Sequence, residues 1–135
     1  MKYVERCLWD YKANVAMLEI LTLRLGALRS VHGHNYEAHS VNGASDPVAN
    51  VTGQILDLEK KIHRTGLMVY PVQRLEADLK GNAQPTYHMQ EILKLRYFEH
   101  NSREYVQSEL GLSQTTYWRR QEELLRLARK YLAED

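Results

Sequence analysis

The chain has little of several features that would place it in other protein classes. Its 135 residues include a single cysteine, so no intrachain disulfide can form, which fits a reducing compartment. No apolar run approaches the ~20 residues that a membrane-spanning helix needs, and charged residues precede the first apolar block, unlike a signal peptide. The formal net charge of +1 argues against a generally basic protein that coats nucleic acid. We therefore expect a cytoplasmic, globular protein with no membrane segment, in one domain or two small ones.

Helical periodicity is what the chain does contain, because apolar side chains recur at spacings of three and four along most of it. Two long striped segments, residues 2–28 and 47–80, flank a stretch of loop composition at residues 30–46. A kink or a short break is expected near Pro71, since proline removes a backbone hydrogen bond. Each stripe is too apolar to stand alone in water, which predicts a long antiparallel helical hairpin over residues 1–81.

The C-terminal part predicts three shorter helices, over residues 85–98, 103–110 and 113–132, and Ser102 is the expected cap of the second. They form a second unit over residues 85–133 and make the protein all-α. The expected core of this unit consists of apolar side chains from the three helices and from the turn before the last one: Ile92, Leu95, Val106, Leu110, Leu112, Tyr117 and Leu124.

The segment around Gly111 has the pattern of a helix-turn-helix. Gly111 can adopt the left-handed conformation that ends a helix, and Ser113 can cap the next one with its hydroxyl. That next helix begins with short polar side chains and then carries arginines, which suits entry into a DNA major groove. Between residues 113 and 131 it has five cationic and two anionic residues, so it forms a local positive stripe.

Nine side chains are the candidate DNA contacts: Ser113, Gln114, Thr115, Thr116, Trp118, Arg119 and Arg120 on the last helix, with Arg96 and Arg103 beside it. Glutamine, threonine and arginine are typical readers of base edges, and flanking arginines typically hold phosphates. The alternatives are a solvated helix face, packing of Trp118 against the hairpin, and surface salt bridges of the flanking arginines with Glu99 or Glu109. Ser113 is expected to cap its helix in either case, and Arg120 to hold a phosphate or a neighbouring glutamate.

The C-terminal third resembles the promoter-recognising region 4 of sigma factors. The resemblance is carried by the run from Gln90 to Phe98, by Val106, by Glu109–Ser113 and by Tyr117–Arg120. The whole layout, with a long helix, a loop with a Ser-Asp-Pro restart and a second long helix before this module, is similar to phage-encoded transcriptional regulators of the ArpU/RinA type. That resemblance implies control of late phage genes. The neutral Gln114, Thr115 and Thr116 depart from the more basic recognition face of such modules.

Other chemistry is weakly represented. His32, His34 and His39 are close in sequence, but a zinc site needs about four ligands, and Cys7 is distant. A flexible polar loop is the better interpretation, and Cys7 is expected to be a buried apolar side chain. No nucleophile motif, phosphate loop or metal-ligand spacing is present. We therefore expect no enzymatic activity, no metal and no cofactor.

These patterns together predict a sequence-specific DNA-binding transcriptional regulator of phage or prophage genes, nucleoid-associated in a bacterial cell. Its partners would be double-stranded DNA and a second copy of the chain in a dimer, with RNA polymerase as a further candidate. Tyr3, Trp9 and Tyr70 are large side chains that would serve a surface for a second copy or for RNA polymerase. The main alternative is a DNA-binding packaging protein such as the small subunit of a phage terminase. A sigma-like factor is a third interpretation, although no segment resembles the other promoter-contacting regions.

Overall fold

The computed structural model describes residues 2–35, 47–81 and 87–133, and in these residues it contains helices and no strand. The predicted all-α class is confirmed. The elements in chain order are α1 (Tyr3–Trp9), α2 (Tyr11–Asn35), α3 (Pro47–Gly81), α4 (Tyr87–Ile92) with its π-helical continuation (Leu93–Phe98), α5 (Arg103–Leu110) and α6 (Gln114–Ala133). Within the described ranges, none of these helices is both long enough and apolar enough to span a membrane.

The chain divides into two compact units, and each combines segments that are distant in sequence. The first contains residues 1–14 and 67–135, and the second contains residues 15–66. This division does not follow the predicted boundary between residues 81 and 85, because α1 and the end of α3 belong with the C-terminal helices. Helices α2 and α3 each continue from one unit into the other.

The first long helix predicted over residues 2–28 is interrupted at Asp10, so the prediction of one continuous helix is wrong. The Asp10 amide donates to the carbonyl of Arg6 over 2.8 Å, and its own carbonyl accepts from Asn14 over 2.8 Å. Its φ of −91° and ψ of 6° leave the α-helical region. Aspartate favours such helix boundaries because its side chain competes with the backbone for hydrogen bonds. The second helix, α2, then runs to Asn35, past the predicted start of the loop at residue 30.

The unit of residues 15–66 is held by the apolar stripes of the two long helices. Leu21 and Leu25 of α2 are buried against Leu58 of α3, with a partly buried shell of Leu28, Ile55 and Ile62. Arg29 and Glu59 add an exposed ion pair of 3.8 Å, which stabilises by at most about 1 kcal/mol. These side chains recur at spacings of three and four along each helix, as the predicted apolar stripes require.

Helix α3 continues without interruption through Pro71, so the alternative of a short break is wrong. Pro71 is buried, and so are Val69, Val72 and Leu75 around it. We attribute the continuity to this packing, since tertiary contacts of an apolar face outweigh the one backbone hydrogen bond that proline removes.

The unit of residues 1–14 and 67–135 has the larger core. Of the predicted core positions, Ile92, Val106, Tyr117 and Leu124 are fully buried, whereas the remaining predicted positions, Leu95, Leu110 and Leu112, are half-buried. Helix α1 packs on the π-helical segment and on α6, and its Leu8 is inaccessible to solvent. The N-terminal residues thus contribute directly to the core on which α6 lies.

Candidate nucleic-acid interface

The turn between α5 and α6 has a defined geometry. Gly111 adopts a left-handed conformation with φ of 64°. Its amide donates to the carbonyl of Ser108 over 3.1 Å, and the Leu112 amide donates to the carbonyl of Gln107 over 3.0 Å. This pair of bonds is the Schellman motif, which satisfies the last carbonyls of a helix when the chain turns away from it. The predicted role of Gly111 in ending α5 is confirmed.

Serine caps begin both helices that follow a turn in this region. The Ser113 hydroxyl accepts a hydrogen bond from the Thr116 amide over 3.2 Å and donates to the Thr116 hydroxyl over 2.9 Å. Ser102 likewise accepts from the Tyr105 amide over 3.1 Å. Both caps were predicted and are confirmed. For Thr116, the contact means that its hydroxyl already has a partner within the protein.

Helix α6 separates an inward face from an outward one. Tyr117 and Gln121 are 1% and 2% exposed, and Leu124 and Ala128 continue the buried face. The side chains that the periodicity of about 100° per residue directs to the other side are exposed: Gln114, Thr115, Trp118 and Arg119. The leading end of α6 is therefore accessible within its own unit, and contact of these side chains with DNA stays a prediction.

Arg103 and Trp118 form a cation–π pair that links α5 to α6. The guanidinium carbon of Arg103 lies 4.5 Å from the centroid of the Trp118 ring, and that ring also meets Tyr117 edge-on. Trp118 keeps 38% of its surface exposed. Among the described residues, the predicted alternative of a salt bridge between Arg103 and Glu109 does not occur.

Arg96 has a partner of a different kind. Its Nη1 donates to the carbonyl of Asn101 over 2.8 Å, and its guanidinium lies 4.8 Å from the centroid of the Trp9 ring. Asn101 is itself fixed, because its side-chain amide donates to the Leu95 carbonyl over 3.0 Å. Arg96 thus supports the turn that follows the π-helical segment, and in the described residues it makes no salt bridge with Glu99.

Trp9 and His100 form a contact that the sequence patterns did not indicate. Their rings stack at 4.0 Å with planes 7° apart, and Nε2 of His100 donates to the Trp9 carbonyl over 2.6 Å. His100 has a φ of 61°, a conformation that histidine adopts more readily than most residues. The two residues are distant in sequence, so helical periodicity carries no signal for the pair. Through it, α1 is attached to the turn before α5.

The positive stripe of α6 is only partly neutralised within the protein. Nη1 of Arg120 lies 3.1 Å and 3.2 Å from the two carboxylate oxygens of Glu123, so Arg120 holds the neighbouring glutamate, one of its two predicted partners. The other cationic side chains of this helix are exposed: Arg119, Arg126, Arg129 and Lys130. The exposed face of α6 therefore remains predominantly positive.

The phenols of Tyr97 and Tyr117 are buried, and the charges of Arg96 and Arg103 act on both of them. Burial raises the pKa of Tyr97 far above its ordinary range, with a smaller upward effect of Glu5 and an opposing effect of Arg96. Burial also raises the pKa of Tyr117, whose hydroxyl donates to Oε1 of Gln121 over 2.6 Å. The Tyr97 hydroxyl has no hydrogen-bond partner among the described residues. Both phenols therefore stay protonated at neutral pH, and the core at the inward face of α6 contains two buried, uncharged hydroxyl groups.

The cysteine and the histidines that the sequence analysis considered as metal ligands remain to be placed. Cys7 is a free, buried thiol, as predicted, and burial raises its pKa. Among the histidines, His39 lies outside the described residues, whereas His32 and His34 belong to α2. The described ranges hold no group of three or more histidine, cysteine, aspartate or glutamate side chains placed to bind a metal ion.

Comparison with known proteins adds no relative: no family model, no curated protein and no solved structure matches this chain. The resemblance to sigma region 4 and to phage regulators therefore depends on the quoted residues alone.

Proposed function

We propose that the protein is a sequence-specific DNA-binding transcriptional regulator, without enzymatic activity, that reads the major groove with the helix beginning after Ser113. The observation that carries the proposal is the exposed leading end of α6, which presents Gln114, Thr115 and Arg119 beyond a capped start. These side-chain types pair with adenine, with the thymine methyl group and with guanine, respectively. A tight turn and a packed α5 fix the direction in which they project.

The charge distribution supports DNA as the partner. The exposed face of α6 carries Arg119, Arg126 and Arg129, although the formal net charge of the whole chain is +1. Phosphate attraction requires only a local excess of positive charge on the surface that approaches the duplex. Such a protein binds DNA at one face and leaves its remaining surface for other partners.

Exposed apolar side chains in the unit of residues 15–66 support self-association. Met17, Ile20 and Leu23 of α2 are 49%, 46% and 74% exposed, and none of them belongs to the buried cluster around Leu21. A small DNA-binding module gains affinity when a second copy occupies a neighbouring half-site. We propose a dimer formed through this unit, which acts on phage or prophage genes in a bacterial cell.

The decisive experiment is selection of bound fragments from the genomic DNA of the source organism, performed in parallel with the wild-type protein and with Arg119→Ala. We expect the wild-type protein to enrich a short motif, and the variant to lose preference at one position at a cost of about 1–3 kcal/mol. Arg64→Ala is the matched control, because it removes one exposed positive charge from α3 and should leave the motif unchanged. Equal recovery of all fragments by the wild-type protein would contradict the proposal.

The oligomeric state separates the regulator from a packaging protein. A dimer by sedimentation, combined with an enriched motif, agrees with the proposed regulator. A closed ring of eight or more copies, without preference for a motif, would instead identify a structural protein of DNA packaging. Both measurements use the full chain.

A further inference from the structure

Arg103 is placed differently from Arg96 and Arg120, the two other half-buried arginines among the candidate DNA contacts. Nη1 of Arg96 donates to the Asn101 carbonyl, and Nη1 of Arg120 donates to Glu123. The Arg103 guanidinium lies on the Trp118 ring instead, and in the part of the chain that the structure describes it forms no ion pair. Its charge is therefore not neutralised by a carboxylate on the same surface.

The contact with Trp118 restricts the position of this guanidinium, whose carbon lies 4.5 Å from the centroid of the ring. Arg103 is half-buried, and its Nε is covered without a hydrogen-bond partner among the described residues. The Nη donors, which lie in the plane of the group, also have no hydrogen-bond partner among the described residues. A planar fork with free edge donors matches the geometry of two phosphate oxygens.

The position in the fold agrees with a backbone contact. Arg103 is the first residue of α5, and the first helix of a helix-turn-helix crosses the sugar–phosphate backbone while the second enters the groove. We propose that Arg103 binds a DNA phosphate and that Trp118 is its positioning residue rather than a reader of bases. This inference depends on the proposed function, and it removes Trp118 from the set of base-reading side chains.

The two roles of Trp118 predict different consequences of its removal. Removal of a positioning residue lowers the affinity for every DNA sequence by the same factor, because the phosphate that Arg103 holds is present in all of them. A base reader affects the ratio of affinities for the preferred sequence and for unrelated sequences. A positioning residue also acts only through Arg103, so its removal has no further effect once Arg103 is absent.

The experiment measures the affinity of the full chain for two duplexes of equal length over a range of salt concentrations. One duplex is the sequence that the wild-type protein enriches from a random pool, and the other has a random sequence. The variants are Arg103→Ala, Trp118→Ala, Trp118→Phe and the double alanine variant, with Arg64→Ala as the charge-matched control. Thermal unfolding of each variant establishes that it is folded, which the exposure of Trp118 favours.

We expect Trp118→Ala to weaken binding to both duplexes by the same factor, roughly 2- to 5-fold. Trp118→Phe keeps an aromatic face and should recover most of this loss. Arg103→Ala should make the slope of log affinity against log salt concentration less steep by about 0.9. The double alanine variant should bind each duplex with the same affinity as Arg103→Ala alone. Arg64→Ala should match the wild-type protein.

Two results would overturn the inference alone while the wild-type protein still binds DNA. One is a changed ratio between the two duplexes in Trp118→Ala, which would make Trp118 a base reader. The other is an undiminished effect of Trp118→Ala in the Arg103→Ala background. If the wild-type protein binds neither duplex, the proposed function is wrong and the inference is wrong with it.

Discussion

The Tyr117 hydroxyl donates a hydrogen bond of 2.6 Å to Oε1 of Gln121, and both side chains are almost completely buried. They lie one turn apart on the inward face of α6. The pair lies on the same buried face as Leu124 and Ala128, so this face of α6 is directed inward and the exposed side chains of its leading end are directed outward. Removal of one partner leaves a buried polar group without its hydrogen bond.

Tyr117→Phe should lower the free energy of unfolding by about 1–3 kcal/mol, since the Gln121 carbonyl oxygen loses its donor in the core. A second change, Gln121→Leu, removes the unpaired group and should recover part of the loss. Urea unfolding of the two single variants and the double variant measures both effects. A loss in the double variant that equals the sum of the two single losses would show that the pair does not act as a unit.

Tyr97→Phe should behave in the opposite way, because the Tyr97 hydroxyl is buried without a partner among the described residues. At neutral pH we expect the free energy of unfolding to stay within about 0.5 kcal/mol of the wild-type value or to increase. Tyr70→Phe, which removes an exposed hydroxyl, is the matched control. A loss as large as that of Tyr117→Phe would contradict the absence of a partner.

The same phenol predicts a dependence of stability on alkaline pH. Burial raises the pKa of Tyr97 in the folded state, so the folded protein retains this proton at a pH where the unfolded chain releases it. The resulting stabilisation is complete below the unfolded pKa of about 10 and is lost as the pH rises from there towards the folded pKa. Urea unfolding between pH 8 and pH 11 should therefore show a steeper decline for the wild-type protein than for Tyr97→Phe. Parallel curves would refute this assignment.

Gly111→Ala should destabilise the protein by about 1 kcal/mol, because alanine in the left-handed region is strained. Open space surrounds the position where the new Cβ would lie, so the loss arises from the backbone alone. Gly53→Ala is the control: it also meets nothing within 4 Å, but it lies inside α3. It should stabilise by about 0.5–1 kcal/mol, since alanine is the better helix former. Changes of the same sign would contradict the conformation assigned to Gly111.

Leu8→Ala should destabilise the unit that carries α6, although the two are distant in sequence. Leu8 is inaccessible to solvent within α1, and such truncations cost about 2–5 kcal/mol. Hydrogen exchange of the α6 amides should accelerate accordingly. Glu122→Ala, at an exposed position of α6 outside the proposed dimer surface, should change stability by less than about 0.5 kcal/mol. Unchanged exchange of α6 in Leu8→Ala would show that α1 does not support it.

Local patterns were sufficient to predict most of the C-terminal helices. The bounds of α5 and the caps at Ser102 and Ser113 depend on glycine, serine and apolar spacing within a few residues, and the structure confirms them. The interruption at Asp10 was missed because the apolar stripe continues across it in the same register. The π-helical turn of Leu93–Phe98 was also missed, since no propensity distinguishes it from an α-helix.

The partners of the candidate site could not be predicted, because they depend on contacts between elements. Arg96 was expected to hold a phosphate or a glutamate. In the described residues it forms no pair with Glu99 or Glu109, and it holds the Asn101 carbonyl and the Trp9 ring. Its contact with a phosphate stays a prediction. Arg103 has the same residue type and a similar neighbourhood in sequence, yet it lies on Trp118. Only the packing of α1, α5 and α6 decides which tryptophan each arginine meets.

Removal of individual base-edge groups from the enriched duplex tests most directly whether α6 reads the major groove. Replacement of guanine or adenine by its 7-deaza analogue removes the N7 acceptor from the major groove, whereas inosine in place of guanine removes the amino group from the minor groove. At one or more positions we expect a 7-deaza substitution to weaken wild-type binding by about 1–3 kcal/mol. At the position that Arg119 reads, the same 7-deaza substitution should leave the affinity of the Arg119→Ala variant unchanged. Weaker binding with inosine alone, and no loss with any 7-deaza substitution, would contradict the account.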